Sequence, residues 1–99
     1  MVKVYRGVIM KWIYIEGKFV PVQSCVKIDF SNMQRGNDYV VTMSIEDVNG
    51  NITRSSYYSK VDKLCEKYVR SRFYDFIKDV YITMFDFNEV CSTIEQLNS

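Results

Sequence analysis

Five cations at helical spacing are the clearest chemical signature in this chain: Lys60, Lys63, Lys67, Arg70 and Lys78 all fall in the segment from residue 59 to 84. At about 100° per residue they lie, with Tyr74 among them, within about 80° of one another on one side of a helix. A stripe of this kind could track a phosphate backbone and make the protein a weak nucleic-acid binder. A solvated helix face accounts for the same pattern. Asp62, Glu66 and Asp79 interleave with the cations, and Glu66 stands four residues before Arg70 in the favourable orientation. Six cations against four carboxylates leave the segment only +2. Arg72 falls toward the apolar side, where its stem can lie along apolar surface while the guanidinium stays in water.

Asp75 and Asp79 share a helix face, and with Asp86 and Glu89 they raise the question of a two-carboxylate or Mg²⁺ site. No Gly-rich loop or companion motif accompanies them, so they read as surface charge. There is no His, which removes the commonest general base, proton shuttle and metal ligand together. The three Cys, at 25, 65 and 91, lack C-x-x-C spacing and are odd in number. They point to neither a zinc site nor a closed disulfide framework, and are expected to be buried small hydrophobes. One disulfide plus a free thiol, or an intermolecular bridge, stays open. With no recognisable base-and-orienter pair beside any nucleophile, the expectation is a protein that is not an enzyme and uses no metal or cofactor.

The apolar residues carry the stronger functional signal. Hydrophobic residues make up 47% of the 99 positions, with eight Tyr, six Phe and no Ala. Trp12, Tyr14, Phe19, Tyr57, Tyr58, Phe85 and Phe87 exceed what a core under one long and one short helix can take. Trp12, Tyr14, Phe19, Tyr57 and Tyr58 are therefore the candidate interface, with a second copy of the chain or another protein as partner. A sheet that curls over its own second face is the alternative, and a stacking platform for bases is another use of the same rings.

The elements that must position these residues follow from periodicity. Abundant Val, Ile, Tyr and Phe favour sheet. Residues 2–15 and 18–30 read as a long hairpin about Glu16-Gly17. Val20, Val22, Val26, Ile28 and Phe30 share one face of the second strand, while Pro21 favours an edge or bulge. The first strand is apolar on both faces: Val8, Met10, Trp12 and Tyr14 on one, Ile9, Ile13 and Ile15 on the other. Such a strand should be covered on both. After the turn at residues 32–37, Tyr39, Val41, Met43 and Ile45 alternate with polar residues. Asn49-Gly50 closes a second hairpin with a type I′ turn, and residues 51–58 return as a polar edge.

Ser59, with Asp62, caps a helix running to Met84. Its stripe is Val61, Cys65, Tyr68, Val69, Phe73, Phe76 and Val80. Asp86 and Glu89 open a short final helix carrying Val90, Cys91, Ile94 and Leu97. The expected fold is α+β over residues 1–99 as one domain, with an antiparallel four-stranded sheet of two hairpins followed by one long and one short helix packed on it. The run from Val8 to Ile15 is interrupted by Lys11 and reads as a strand, neither signal peptide nor membrane span. A net charge of +1 with 25% charged residues marks an ordinary soluble globular chain.

The absence of Ala and His, the density of Tyr, Ile, Val and Lys, and the opening VKVYRGVIMKWIYIEGKFVPV together resemble the small proteins of filamentous viruses of hyperthermophilic archaea, of the lipothrixvirus and rudivirus type. The chain is similar to a small conserved protein of the Acidianus filamentous viruses. The resemblance implies a thermostable, acid-tolerant viral protein of unassigned role, made in the host cytoplasm, with packaging in the virion as the alternative location. It carries over no functional residue.

Overall fold

Pro21 divides the strands between two sheets rather than one. In the computed structural model, which describes residues 10–61 and 66–97, β1 (Trp12–Ile15) turns at Glu16-Gly17 into β2 (Lys18–Pro21). Both turn residues hold positive φ, 52° and 74°, the condition for the tight primed turn that matches strand twist. Pro21 has no N–H to continue the ladder, and the chain winds through a 3₁₀ turn, Val22–Ser24. The Ser24 hydroxyl donates to the Pro21 carbonyl at 2.9 Å. From there the chain enters a second sheet, an antiparallel meander of β3 (Cys25–Arg35), β4 (Asp38–Asp47) and β5 (Ile52–Ser59).

The hairpin at Asn49-Gly50 forms, but with another turn. Asp47 N–H donates to the Asn51 carbonyl and Gly50 N–H to the Asp47 carbonyl, each at 3.0 Å. Gly50 alone in this turn takes positive φ, 83°. The loop is the three-residue kind with one left-handed glycine. The Asp47 carboxylate accepts the N–H groups of Asn49 and Asn51, both at 2.9 Å. These bonds, the Asn51 one foremost, hold its pKa below the usual carboxylate range.

The expected long helix is shorter at both described ends. Ser59 closes β5 instead of capping, and the helix described here, α1, spans Glu66–Lys78. Asp62 and Cys65 lie outside the described residues. Val69, Phe73 and Phe76 of the expected stripe are buried, whereas Tyr68 and Val80 are exposed. The helix stops at Asp79, whose side chain accepts the Tyr81 N–H at 2.9 Å. Its end is then clasped from a distance. Lys11 Nζ donates to the carbonyls of Phe76, Asp79 and Ile82 at 2.7, 2.6 and 2.5 Å and sits 5.0 Å from the Phe76 ring centroid. Such carbonyls are left over at any helix C-terminus, where the macrodipole favours a cation.

The released chain forms β6 (Met84–Asp86), which pairs parallel with β1 and completes the first sheet in the order β2-β1-β6. Asp86 caps α2 (Phe87–Leu97) by accepting the Glu89 N–H at 3.2 Å, as the Asp86/Glu89 pattern anticipates. The α+β class therefore holds, with two helices after most of the strands. The four-stranded antiparallel sheet does not: there are two sheets of three strands, because Pro21 ends one ladder and β6 fills the edge of β1.

The core lies between the two sheets and the helices. Ile13 and Ile15 enter from the first sheet, Phe30, Val41, Met43 and Ile45 from the second, Phe73 and Phe76 from α1, and Cys91 and Ile94 from α2. Phe85 and Phe87, expected to be surplus, are 2% and 0% exposed. Phe73 meets Phe85 edge-on at 5.1 Å between centroids, with Phe30 5.5 Å from Phe73. Val26, expected on the buried face, is exposed because a register shift between Cys25 and Lys27 bulges it outward.

Lys11→Met keeps the apolar stem and removes the three charge-assisted bonds. It should lower stability by about 2 kcal/mol, a melting point lower by roughly 10 °C in a chain of this size. Thermal unfolding by circular dichroism measures it, and an unchanged transition would show that the clasp contributes nothing.

Candidate functional site

Strand alternation in β1 sends Ile13 and Ile15 inward, 0% and 2% exposed, and so turns Trp12 and Tyr14 to the opposite face. There the register sets Pro21 and Met84 on either side of Trp12, and Phe19 and Asp86 on either side of Tyr14. The Tyr14 and Phe19 rings lie 4.8 Å apart. Phe19 is 59% and Met84 42% exposed. Tyr14, Gly17, Phe19, Met84 and Asp86 line a shallow depression of about 340 Å³. Met84 also borders a second cleft of about 350 Å³, where Arg72 and Asp75 of α1 stand beside Phe76, Ile82, Phe85 and Val90. Arg72 thus lies along apolar surface, as expected.

Of the five candidate interface residues, then, Trp12, Tyr14 and Phe19 share one surface. Tyr57 and Tyr58 do not join it. Tyr57 is on the inner side of β5, partly buried against the core, and its hydroxyl donates to Glu95 Oε1 at 2.9 Å. Tyr58 faces out from the second sheet beside Val40 and is 54% exposed. Met84 and Asp86 were missed because a three-residue strand between two helices leaves almost no periodic signal. The alternation of exposed Met84 with buried Phe85 is the one trace of it.

The basic stripe is dispersed. Lys60 follows β5 and pairs with Asp38 at 2.7 Å. Lys63 lies outside the described residues. Lys67 is exposed, its ammonium 5.4 Å from the Tyr68 ring centroid. Arg70 turns toward β3, donating to the Phe30 carbonyl at 3.1 Å and pairing with Glu66 at 2.7 Å. Glu66 Oε2, shut off from solvent, makes no hydrogen bond of good geometry, so this ionic contact is what compensates it. Lys78 ends α1, exposed. Among the described cations, Lys60 lies outside the helix and Arg70 is drawn to a strand edge, which leaves Lys67 and Lys78 exposed on α1.

The most connected polar cluster joins β5 to α2. Ser59, buried, donates to Glu95 Oε2 at 2.5 Å and accepts the Val61 N–H at 2.9 Å. Burial, with the Glu95 hydrogen bond next, raises the Tyr57 pKa. Cys91, on the same helix, is pushed up to about 12 by burial and then by the Glu95 charge. Cys25 is raised by burial and then by Asp47. Cys25 and Cys91 are free thiols kept in the protonated, unreactive form. The cluster fastens a helix to a strand. Among the described residues no group of three or more Cys, Asp or Glu is placed to hold a metal ion, and no helix is long and apolar enough to cross a membrane. No family model, curated protein or solved structure matches the chain.

Cys91 should resist iodoacetamide in the native protein at pH 8, where only about one thiol in 10⁴ is ionised, and react fully in urea. Peptide mass mapping reads this, and native labelling of Cys91 would contradict its burial. On duplex DNA, log K against log salt should be no steeper than about −3, since of the five cations Lys60 and Arg70 are already paired with Asp38 and Glu66. A titration at 50 and 150 mM salt should accordingly find no binding at the higher concentration, and persistence there would restore the stripe as a site.

Proposed function

We propose that the protein is a non-enzymatic protein–protein interaction module that forms a homodimer through the outer face of its first sheet. The carrying observation is that face itself: Trp12, Tyr14, Phe19, Pro21 and Met84 lie together by register on the side away from the core. A solvated sheet face is ordinarily polar, as the alternation rule requires. The outer face of the second sheet mixes hydroxyls, with Thr42 and Ser56 meeting at 2.8 Å, with the exposed Met33, Ile52 and Tyr58, while that of the first gathers Trp12, Tyr14, Phe19 and Met84 side by side. Exposed apolar surface of this kind marks association sites, and aromatic residues and Met are enriched at interface cores.

A second copy is the favoured occupant because Phe19, 59% exposed, forms part of the wall of a shallow apolar depression, and a two-fold axis sets such a wall against its own copy reciprocally. In keeping with the chain's resemblance, the role is that of a viral protein in the host cytoplasm or the virion. The nucleic-acid reading loses its support with the dispersal of the stripe.

The protein should sediment as a dimer at micromolar concentration. Phe19→Glu should dissociate it with a change in stability within about 0.5 kcal/mol, since the ring is mostly exposed. Trp12→Glu should dissociate or unfold it. A clean monomer at high concentration would overturn the reading.

A further inference from the structure

The hydrogen-bond pattern of β5 points half of its backbone away from the molecule. In an antiparallel pair, bonded and non-bonded positions alternate along each strand. Asp47 N–H donates to the Asn51 carbonyl at 3.0 Å, so, stepping by two along the β4–β5 register, Thr53, Ser55, Tyr57 and Ser59 bond to Ile45, Met43, Val41 and Tyr39. Ile52, Arg54, Ser56 and Tyr58 therefore direct their N–H and C=O groups outward from the sheet edge, and all four residues are exposed. The same alternation holds at the opposite edge. It leaves the Phe30 carbonyl of β3 unpaired with β4, and that carbonyl is the one Arg70 reaches at 3.1 Å.

The other sheet edges described here are blunted. On β2 the outward positions are Phe19 and Pro21, because the bond from the Val22 N–H to the Lys11 carbonyl sets the alternation there, and Pro21 has no N–H to offer. β6 is three residues long. β3 bulges between Cys25 and Lys27, carries the Lys27–Asp29 pair and has α1 against it. Short strands, Pro, bulges, charges and covering helices are the usual defences of an edge. β5 runs eight residues without a register shift or a Pro, and its one charge is Arg54. An open row of backbone donors and acceptors is matched by another extended strand.

β5 is also complementary to itself. Outward groups meet outward groups, so the antiparallel registers of β5 against a second β5 differ by steps of two residues. Centred on Ser55, the pairing sets Ile52 opposite the partner's Tyr58 and Arg54 opposite the partner's Ser56, and the two-fold axis repeats both pairs. Ile52 and Tyr58 are 55% and 54% exposed, and a β-branched residue opposite an aromatic is a favourable cross-strand pair. A step in one direction sets Arg54 opposite its own copy, which like charge opposes. A step in the other sets Ile52 opposite the partner's Lys60, beyond the end of the strand.

We infer that two copies pair their β5 strands antiparallel about a two-fold axis at Ser55, joining two three-stranded meanders into one six-stranded sheet. This contact lies apart from the outer face of the first sheet and does not depend on the dimer reading above. Backbone bonds supply its affinity and the Ile52–Tyr58 and Arg54–Ser56 pairs its register. A single ladder is a small interface and a weak one, so it acts above the micromolar range expected for the first-sheet dimer.

Residue-resolved amide exchange by NMR on the full chain tests it, in the wild type and in Phe19→Glu. Between micromolar and millimolar protein, the amides of Ile52, Arg54, Ser56 and Tyr58 should exchange more slowly as concentration rises, in both chains, while those of Thr53, Ser55 and Tyr57 are slow throughout. Ser56→Lys, which sets a cation opposite the partner's Arg54, should raise the dissociation constant at least about fivefold, and Ser56→Asp should lower it about threefold. Outward amides whose exchange is the same at every concentration overturn the inference: fast exchange means the edge stays open, and slow exchange means another part of the same chain covers it. A shift in the same direction for both Ser56 variants overturns the register and the inference with it. The two readings fail separately, since Phe19→Glu removes the first-sheet contact and leaves β5 intact.

Discussion

One ammonium group holds three parts of this protein in register. Lys11, immediately before β1, reaches the C-terminal end of α1 and satisfies carbonyls at Phe76, Asp79 and Ile82. The Phe76 carbonyl is one of those a helix leaves over at its C-terminal end, the Asp79 carbonyl also accepts the Ile82 N–H, and a cation there meets the negative pole of the helix. The consequences run outward from that point. The helix stops, the chain turns at Asp79, and the Thr83 carbonyl arrives 2.9 Å from the Trp12 N–H. β6 then pairs parallel beside β1. A strand of three residues has little intrinsic stability, and its place is set by the contacts at both of its ends, the clasp before it and the Asp86 cap after it.

Edges and faces are treated differently across the molecule. On the β3 edge, the Arg70 guanidinium donates to the Phe30 carbonyl and the Glu66 N–H donates to the Asn32 side chain, so α1 sits against this edge and occupies one backbone carbonyl that could otherwise template another strand. On the outer face of the second sheet, hydroxyls and an exposed Lys27–Asp29 pair stand among the exposed apolar side chains of Met33, Ile52 and Tyr58. Ion pairs of that kind contribute little to stability, but they discourage association. The outer face of the first sheet gathers Trp12, Tyr14, Phe19, Pro21 and Met84 by register, with Asp86 beside Tyr14.

Local patterns in the sequence were legible where a single element decided them. The alternation of Val41, Met43 and Ile45, the hairpins at Gly17 and Gly50, the Asp86 cap and the inward set Val69, Phe73 and Phe76 follow from period and turn chemistry. Trp12, Tyr14 and Phe19 were recognisable as candidates because β1 is apolar on both faces. What escaped was decided by contacts distant in sequence. A Lys in the middle of an apolar run gives no sign that it will close a helix 65 residues further on. The helical period continues through Val80, so the stop at Asp79 depends on that closure. Pro21 was visible as an irregularity, but its effect, the transfer of the chain to a second sheet, depends on the partner strands. Lys60 left the cationic stripe because the fold places it after a strand, where it pairs with Asp38.

The proposed dimer surface contains the chain's one tryptophan, partly buried on the face away from the core, so its fluorescence reports directly on whether that face is covered. The decisive measurement is the Trp12 emission maximum across dilution from micromolar to nanomolar protein. Coverage by a second copy predicts a shift to longer wavelength on dilution, as Trp12 passes from an interface into water. An emission maximum that stays constant over the whole range would contradict the account, because it would mean that this face is equally exposed at every concentration.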